Sequence, residues 1–525
     1  MARGYAPRKY DRMGGQNAKP LFIKRDRFDG GQNTRVGPGS IGEDQLTVCY
    51  NADLGVPGRI DKRPGITLIA NDTGTRTMAL QAYYPTGGTA ALYRVEGVNV
   101  LKWTGSGNWS SSLGTVTTGL NTDLFQGGES GENEVLFLSN GTDNPQRINS
   151  SDTFQDLGSG ATSPVKTVIN LFWRNRWWQL KNGFLYYSDA FSADYSGAFS
   201  SSNGFRFSGY GDDRGLQAIR DQGLFIFLRN AIWALNPSAT PAATDVPELI
   251  TSEHGAVETK CIEQVGDDIF YLAPDGIRSL KRTIQDKIQL GTSFPVSYPL
   301  KDELENIDWS MSSKFHMRFW QDKLFFFFVQ SGGSDINRAW VYWPALDPDK
   351  TGRGWSVMTG LTLTALDKFF VSGQERLYGG STDGKVYRIW SSSNDDNGTA
   401  INFQVETRDE DFGYHTNYKY GGELEVVCET TSNSESLTVS ALIDGGSYTS
   451  LGTIDLTASG PALPINLPFD LAATGRISQK FHLDDLGRFK HIRFKFQHSD
   501  ANTTDTIRIL SYSVTSFLDE YDSED

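Results

Sequence analysis

Six histidines, His254, His316, His415, His482, His491 and His498, are the first residues to test for chemistry in this sequence. No two stand three or four residues apart, so none forms the helical pair of a zinc protease. His491 and His498 lie seven apart across an expected strand and turn, which suits surface or cross-strand positions. Cys49, Cys261 and Cys428 are far from one another and have no CxxC partner, which argues against a disulfide framework or a structural zinc site. The sequence has no GxSxG elbow, no P-loop and no GxGxxG opening a helix. The oxygen-rich run Asn394-Asp395-Asp396-Asn397-Gly398 lacks the alternate spacing and closing Glu of a calcium loop, and reads as a linker. Asp212-Asp213, Asp267-Asp268 and Asp409-Glu410-Asp411 fall on expected turns, where acidic residues need no catalytic explanation. No catalytic, cofactor-binding or metal-ligating residue is assigned, and no cofactor is expected.

Two further groups carry a structural reading beside a chemical one. Ser381-Thr382-Asp383-Gly384, followed by Trp390, resembles the Asp-box of sialidase blades but lacks the residue between Asp and Gly, and no second copy exists. Trp173, Trp177 and Trp178 beside Arg174 and Arg176 have the composition of a stacking platform for sugars or nucleic acid. Trp177 and Trp178 are adjacent, so on a strand they face opposite sides, which suits packing between layers.

The elements that would position these groups are hairpins. Between residues 80 and 390, apolar runs alternate with turns centred near 97, 141, 183, 230, 276, 332 and 384, many of them Asn-Gly or Asp-Gly. Such dipeptides favour tight turns with positive φ. A recurrence of forty to fifty residues is the period of four-stranded propeller blades. The expected fold is all-β: a propeller of six or seven blades over 69–395, with an N-terminal arm over 1–68 and a β-sandwich over 396–525. Helical periodicity is expected only over Lys301–Asp308. In the last region, Ile492, Phe494 and Phe496 alternate with His491, Arg493, Lys495 and Gln497, the mark of a half-buried antiparallel strand. The acidic end, Leu518–Asp525, is expected to be solvated.

Charge divides along the same lines. The chain carries −14 overall, but its first 40 residues hold nine basic and three acidic residues. The remaining 485 residues hold 40 basic and 60 acidic, or −20, which is unsuited to gripping a phosphate backbone. The opening residues form no apolar run of the signal-peptide kind. The longest strongly apolar runs, Leu224–Leu228 and Leu324–Val329, are far shorter than the roughly 20 residues that span a bilayer.

The segment Phe28-Asp29-Gly30-Gly31-Gln32-Asn33-Thr34, followed by Arg59 and Lys62-Arg63-Pro64-Gly65, has glycine hinges and few apolar residues. Such a segment is ordered only by lying on another surface. It resembles the N-terminal region of the tail nozzle, or tail tubular, proteins of short-tailed double-stranded-DNA phages and of the related tail-hub proteins that stabilise packaged DNA. The Asp444-Gly445 hairpin and the Arg476–Phe481 segment resemble the terminal sandwich of the same family. The resemblance implies a virion protein, in a homo-hexameric ring below the portal and the head–tail adaptor, that retains genomic DNA and conducts it during ejection. On this reading Arg25, Arg27, Arg35, Arg59, Arg63, Pro64 and Gly65 are candidates for assembly contacts, and a Gly- and Ser-rich segment such as Ser192–Gly211 is a candidate gate. The alternative is a glycan-binding or glycan-hydrolysing propeller.

Overall fold

In the computed structural model, residues 20–519 are described except 71–73, 132–133, 194, 208, 220–222, 239, 243, 291–292, 458–474 and 500–504. The acidic residues 520–525 and the first 19 residues lie outside the described part.

The all-β propeller is present. Six separate sheets of three or four strands serve as blades. Their innermost strands are Thr77–Tyr83, Asp123–Gly127, Asn170–Trp173, Asp213–Ile219, Ile262–Val265 and Ala365–Val371, with His316–Trp320 standing between the last two. Each touches the next, and Ala365–Val371 closes on Thr77–Tyr83. The strands from His316 to Leu363 therefore fill a seventh place in the ring while belonging to a larger, eleven-stranded sheet. Every expected hairpin joins the second and third strands of one blade. The blade of 365–389 gains its outer strand from the other end of the chain, where Thr67–Ala70 pairs with Val386–Ile389. That pairing ties the two ends of the ring together.

Turn chemistry differs in detail from expectation. Asn182 and Gly183 both have positive φ, as a type I′ turn requires. At 97, 141, 276, 332 and 384 the glycine has positive φ while the residue before it does not. Three further tight turns with two consecutive positive φ values sit between first and second blade strands, at Arg174-Asn175, Gln321-Asp322 and Ser372-Gly373.

A sandwich stands beside the ring. One sheet holds Arg476–His482, Lys419–Glu429 and Arg508–Leu518; the other continues from the 355–363 strand through Val48–Tyr50, Phe403–Glu406, Ile492–His498, Ser436–Ile443 and Thr449–Asp455. The 492–498 strand alternates as expected, and His498 also turns inward to Glu435. Ile492, Phe494 and Phe496 are buried with Leu424, Val426 and Tyr512. This apolar cluster continues without a break into Phe325, Phe327 and Val341 of the neighbouring blade. Each such side chain contributes about 1.5–3 kcal/mol when fully buried, so the shared core joins propeller and sandwich.

From residue 20 onward, the expected arm of 1–68 is built into these sheets. Leu21–Arg25 pairs with Arg508–Leu518. Val48–Tyr50 is inserted between Trp355–Leu363 and Phe403–Glu406, and Ile60–Lys62 pairs with Arg508–Ile509. The sandwich thus draws strands from both ends of the chain and is not confined to 396–525. Ser192–Gly211 is likewise not a free loop: Phe199–Arg206 is the outer strand of the 170–206 blade, and the Tyr195 hydroxyl, fully buried, donates to the Gly128 carbonyl. Lys301–Glu305 forms a single helical turn, and an unexpected helix spans Leu280–Leu290 where the 262–279 blade lacks a fourth strand.

Candidate functional site

Two places concentrate charged residues inside the molecule. The first is the seam between propeller and sandwich. Arg63, with no exposed side-chain surface, forks onto Asp396, 7% exposed, through Nη1–Oδ1 at 2.9 Å and Nη2–Oδ2 at 2.7 Å. Its Nε donates to Asn51 Oδ1, Nη1 to the Pro64 carbonyl and Nη2 to the Thr359 carbonyl. Asn51, held at φ +55°, donates in turn to Thr359 Oγ1 and to the Asn402 carbonyl. One guanidinium therefore joins the N-terminal segment, a propeller strand and the first residues of the sandwich. A rigid planar fork does this where an ammonium would not.

Glycine is required at two positions around the seam. A Cβ on Gly65 would stand 1.7 Å from the Asp395 carbonyl oxygen. Gly31, at φ +64°, has the Trp355 backbone 2.4 Å from where its Cβ would be. Within the polar run 394–398, Asp396 is thus buried at the junction, while Asn397 and Gly398 are exposed. Asp395 Oδ1 accepts from Ser393 Oγ and from the Gly398 amide, and Asp396 is spent on Arg63, so these carboxylates already have partners.

The other assembly candidates are also engaged within the chain. Arg25 forks onto Glu410 at 2.9 and 3.0 Å and reaches Glu43, while the Tyr512 hydroxyl donates to the same Glu410. Arg27 pairs with Asp29 from an exposed position, and Arg59 with Asp61 and Glu429. The Arg35 guanidinium lies 3.3 Å over the Tyr298 ring. Arg63, Pro64 and Gly65 come together at the seam; Arg25, Arg27, Arg35 and Arg59 are separate from it.

The second place, which the sequence reading missed, is the inner face of the propeller ring. Asp123, Glu263, Arg318, Asp367 and Lys368 come from innermost strands of four blades, and Lys260 from the turn before one of them. Arg318 lies 3.4 Å from Asp367 and 3.9 Å from Glu263, and Lys368 lies 3.3 Å from Glu263. Three acids face three bases. Burial pushes the Asp123 carboxyl up to about 6, against the opposing effects of the Asn170 amide, Lys260 and Arg318. Burial likewise raises Asp367 and lowers Lys260. A carboxyl near 6 is suited to giving or taking a proton near neutrality, but Glu263 and Asp367 are held by cations. Charged residues on four of the seven ring-facing strands are a signal legible only once the blade register is known.

The remaining sequence motifs have structural roles. Trp177 packs with Phe137 and Tyr195 on one side of its strand, and Trp178 with Leu224 and Ile226 on the other. The Ser381 hydroxyl bonds Asp383 and the Lys385 carbonyl, closing one hairpin turn. The three cysteines are buried and free.

No protein-family model matches the sequence, and no curated protein matches it either. Similar solved structures include the AfRom2 CNH domain, at 9% identity and TM-score 0.34 over 62% of this chain and 99% of that one. A chain of a mitotic checkpoint complex gives 10% and 0.37 over 62% and 92%. An exo-beta-1,3-galactanase from Phanerochaete chrysosporium gives 8% and 0.24 over 86% and 100%. None of these scores reaches 0.5, so the likenesses assign this chain no activity.

Proposed function

We propose that this protein is a structural subunit of a virion tail, assembling as a homo-hexameric ring whose central conduit holds packaged DNA and passes it during ejection. The observation that carries this reading is the seam. The residues through which the sequence resembles phage nozzle proteins, Gly30 to Thr34 and Arg63 to Gly65, are those that fasten the propeller to a sandwich made from both chain ends. They specify an architecture rather than a reactive centre. On this reading DNA passes between subunits, since charged side chains occupy the propeller's own axis. An acidic body of −20 per copy keeps phosphates from adhering to the conduit wall. The partners are other copies of the chain, a head–tail adaptor and neighbouring tail proteins.

Negative-stain imaging and light scattering of the full chain, alone and with its adaptor, test the proposal. Six-fold rings are expected. A particle that remains monomeric in both preparations overturns it. A second reading, hydrolysis of a glycan at the propeller axis, is favoured by one observation, the raised carboxyl of Asp123. It predicts polysaccharide turnover that Asp123→Asn abolishes, and no turnover on a broad polysaccharide panel eliminates it.

A further inference from the structure

The blade of 365–389 carries two neighbouring arginines, Arg376 and Arg388, that pair with no acid. Tyr378 stands opposite Arg388 in the register of Gln374–Gly380 on Val386–Ile389, so Arg376 is the diagonal neighbour of Arg388 on the same side of the sheet. Diagonal residues stand about 7–8 Å apart, within reach of long side chains. That side faces the blade of 77–115, where Tyr378 and Phe369 pack with Leu92 and Trp103. Both arginines are half-buried. Their Nε atoms and the Tyr378 hydroxyl are shut away from solvent, but their terminal nitrogens are not. Among the described residues those nitrogens meet no carboxylate or carbonyl, so the guanidinium ends are what a ligand would touch.

Other arginines withdrawn from solvent meet a carboxylate: Arg63 has Asp396, Arg25 has Glu410 and Arg338 has Glu303. Here the nearest charge to one guanidinium is the other. Burial, and then Arg376, hold the Arg388 guanidinium below its ordinary value. Two like charges partly stripped of water repel each other, and an anion between them removes that cost. The shape of the anion follows from the donors. One fork matches the two oxygens of a carboxylate. Two forks on one patch match an anion with three or four oxygens on one centre, which a phosphate group supplies.

We propose that Arg376 and Arg388 form an oxyanion site that binds a terminal phosphate group between their guanidinium ends. The site goes beyond the ring-forming reading and does not depend on it, because one chain carries both arginines.

Calorimetry and thermal unfolding of the full chain in phosphate-free buffer test it, with inorganic phosphate, phenyl phosphate, acetate and a short DNA duplex as probes. Saturable binding of both phosphate compounds is expected, with a matching rise in melting temperature, and acetate is expected to bind more weakly. Arg376→Gln and Arg388→Gln are each expected to weaken phosphate binding by about tenfold or more, the loss of a charge-assisted hydrogen bond. Without phosphate, each variant is expected to melt no lower than the parent, since one of two repelling charges is gone, and this separates loss of the site from loss of the fold. Absence of saturable phosphate binding, phosphate affinity unchanged in both variants, or acetate bound as tightly as phosphate overturns the proposal. A duplex bound more tightly than phosphate, and released by the same two substitutions, overturns it in favour of a nucleic-acid backbone contact.

Discussion

Replacing Asp396 with asparagine keeps the size and shape of the side chain but leaves the Arg63 guanidinium buried without its counter-charge. Both side chains are almost wholly out of water, and Arg63 makes five hydrogen bonds, two of them to Asp396. Removing one member of such a pair costs about 3–5 kcal/mol, because the surviving charge keeps its desolvation penalty. For a cooperative unit of roughly 500 residues, at about 1 °C per kcal/mol, this corresponds to a fall in melting temperature of about 3–5 °C. Arg63→Lys is expected to fall in the same range, since an ammonium cannot reproduce the fork onto Asp396 while also reaching Asn51. In a double-mutant cycle, Arg63→Ala with Asp396→Ala should cost less than the two single changes together, by about 0.5–3 kcal/mol. The assay is thermal unfolding at neutral pH in low salt and again near 1 M salt, where screening acts over only about 3 Å. A buried pair keeps its effect in high salt. Melting temperatures of both single variants within about 2 °C of the parent would refute the reasoning, given the sensitivity above. An effect that disappears in high salt would do so too.

Asp123 and Asp61 are both raised by burial to about 6, so each contributes stability that is complete below the ordinary carboxyl value of 3.8 and lost as pH climbs through 6. Asp123→Asn should therefore melt above the parent at pH 8, and the advantage should vanish at pH 4 in the same scan. Gly65→Ala places a methyl group into the Asp395 backbone and should cost at least about 1–3 kcal/mol, read as lower soluble yield and melting temperature. Truncation at residue 40 removes the strand paired with Arg508–Leu518 and should lower the melting temperature. Truncation at residue 19, with five of the basic residues gone, should weaken ring assembly in the imaging assay.

The propeller was legible because turn dipeptides and apolar runs are local signals: each of the seven hairpins is encoded within a few consecutive residues. The seam was not legible, because its partners, Asn51, Arg63, Thr359 and Asp396, are separated by up to 345 positions and nothing near any of them names the others. That separation also hid the one buried member of the polar run 394–398, Asp396, since the run's composition does not tell a carboxylate paired with a distant arginine from its exposed neighbours Asn397 and Gly398. The helix at 280–290 did carry a signal: the Ser279 hydroxyl accepts from the Arg282 amide, the geometry of an N-cap. Its apolar positions Leu280 and Ile284 are too few to stand out, and Ile288, in step with them, is exposed. The inner-ring charges were hidden for a further reason. An Asp or Lys at the edge of a strand faces solvent in most folds and faces its fellows only when strands close into a ring.

Ring closure also bears on where the acidic excess resides. Many of the buried acids have a basic partner: Asp396 has Arg63, Glu410 has Arg25, Glu303 has Arg338, Asp268 has Lys350 and Asp367 has Arg318. Pairing is what burial demands, since a lone charge in the interior forfeits its hydration without compensation. Charges neutralised in pairs contribute nothing to the net value, so the imbalance of −20 over residues 41–525 falls mainly on surfaces that meet water or other molecules. In the proposed ring, the lumen would be such a surface, and a duplex passing through it would meet repulsion on all sides rather than a binding face. On the proposed ring reading, retention of DNA comes from a physical constriction, and it should be no weaker at 0.5 M salt than at 0.05 M. A grip made by basic side chains would instead loosen steeply over that tenfold range of salt.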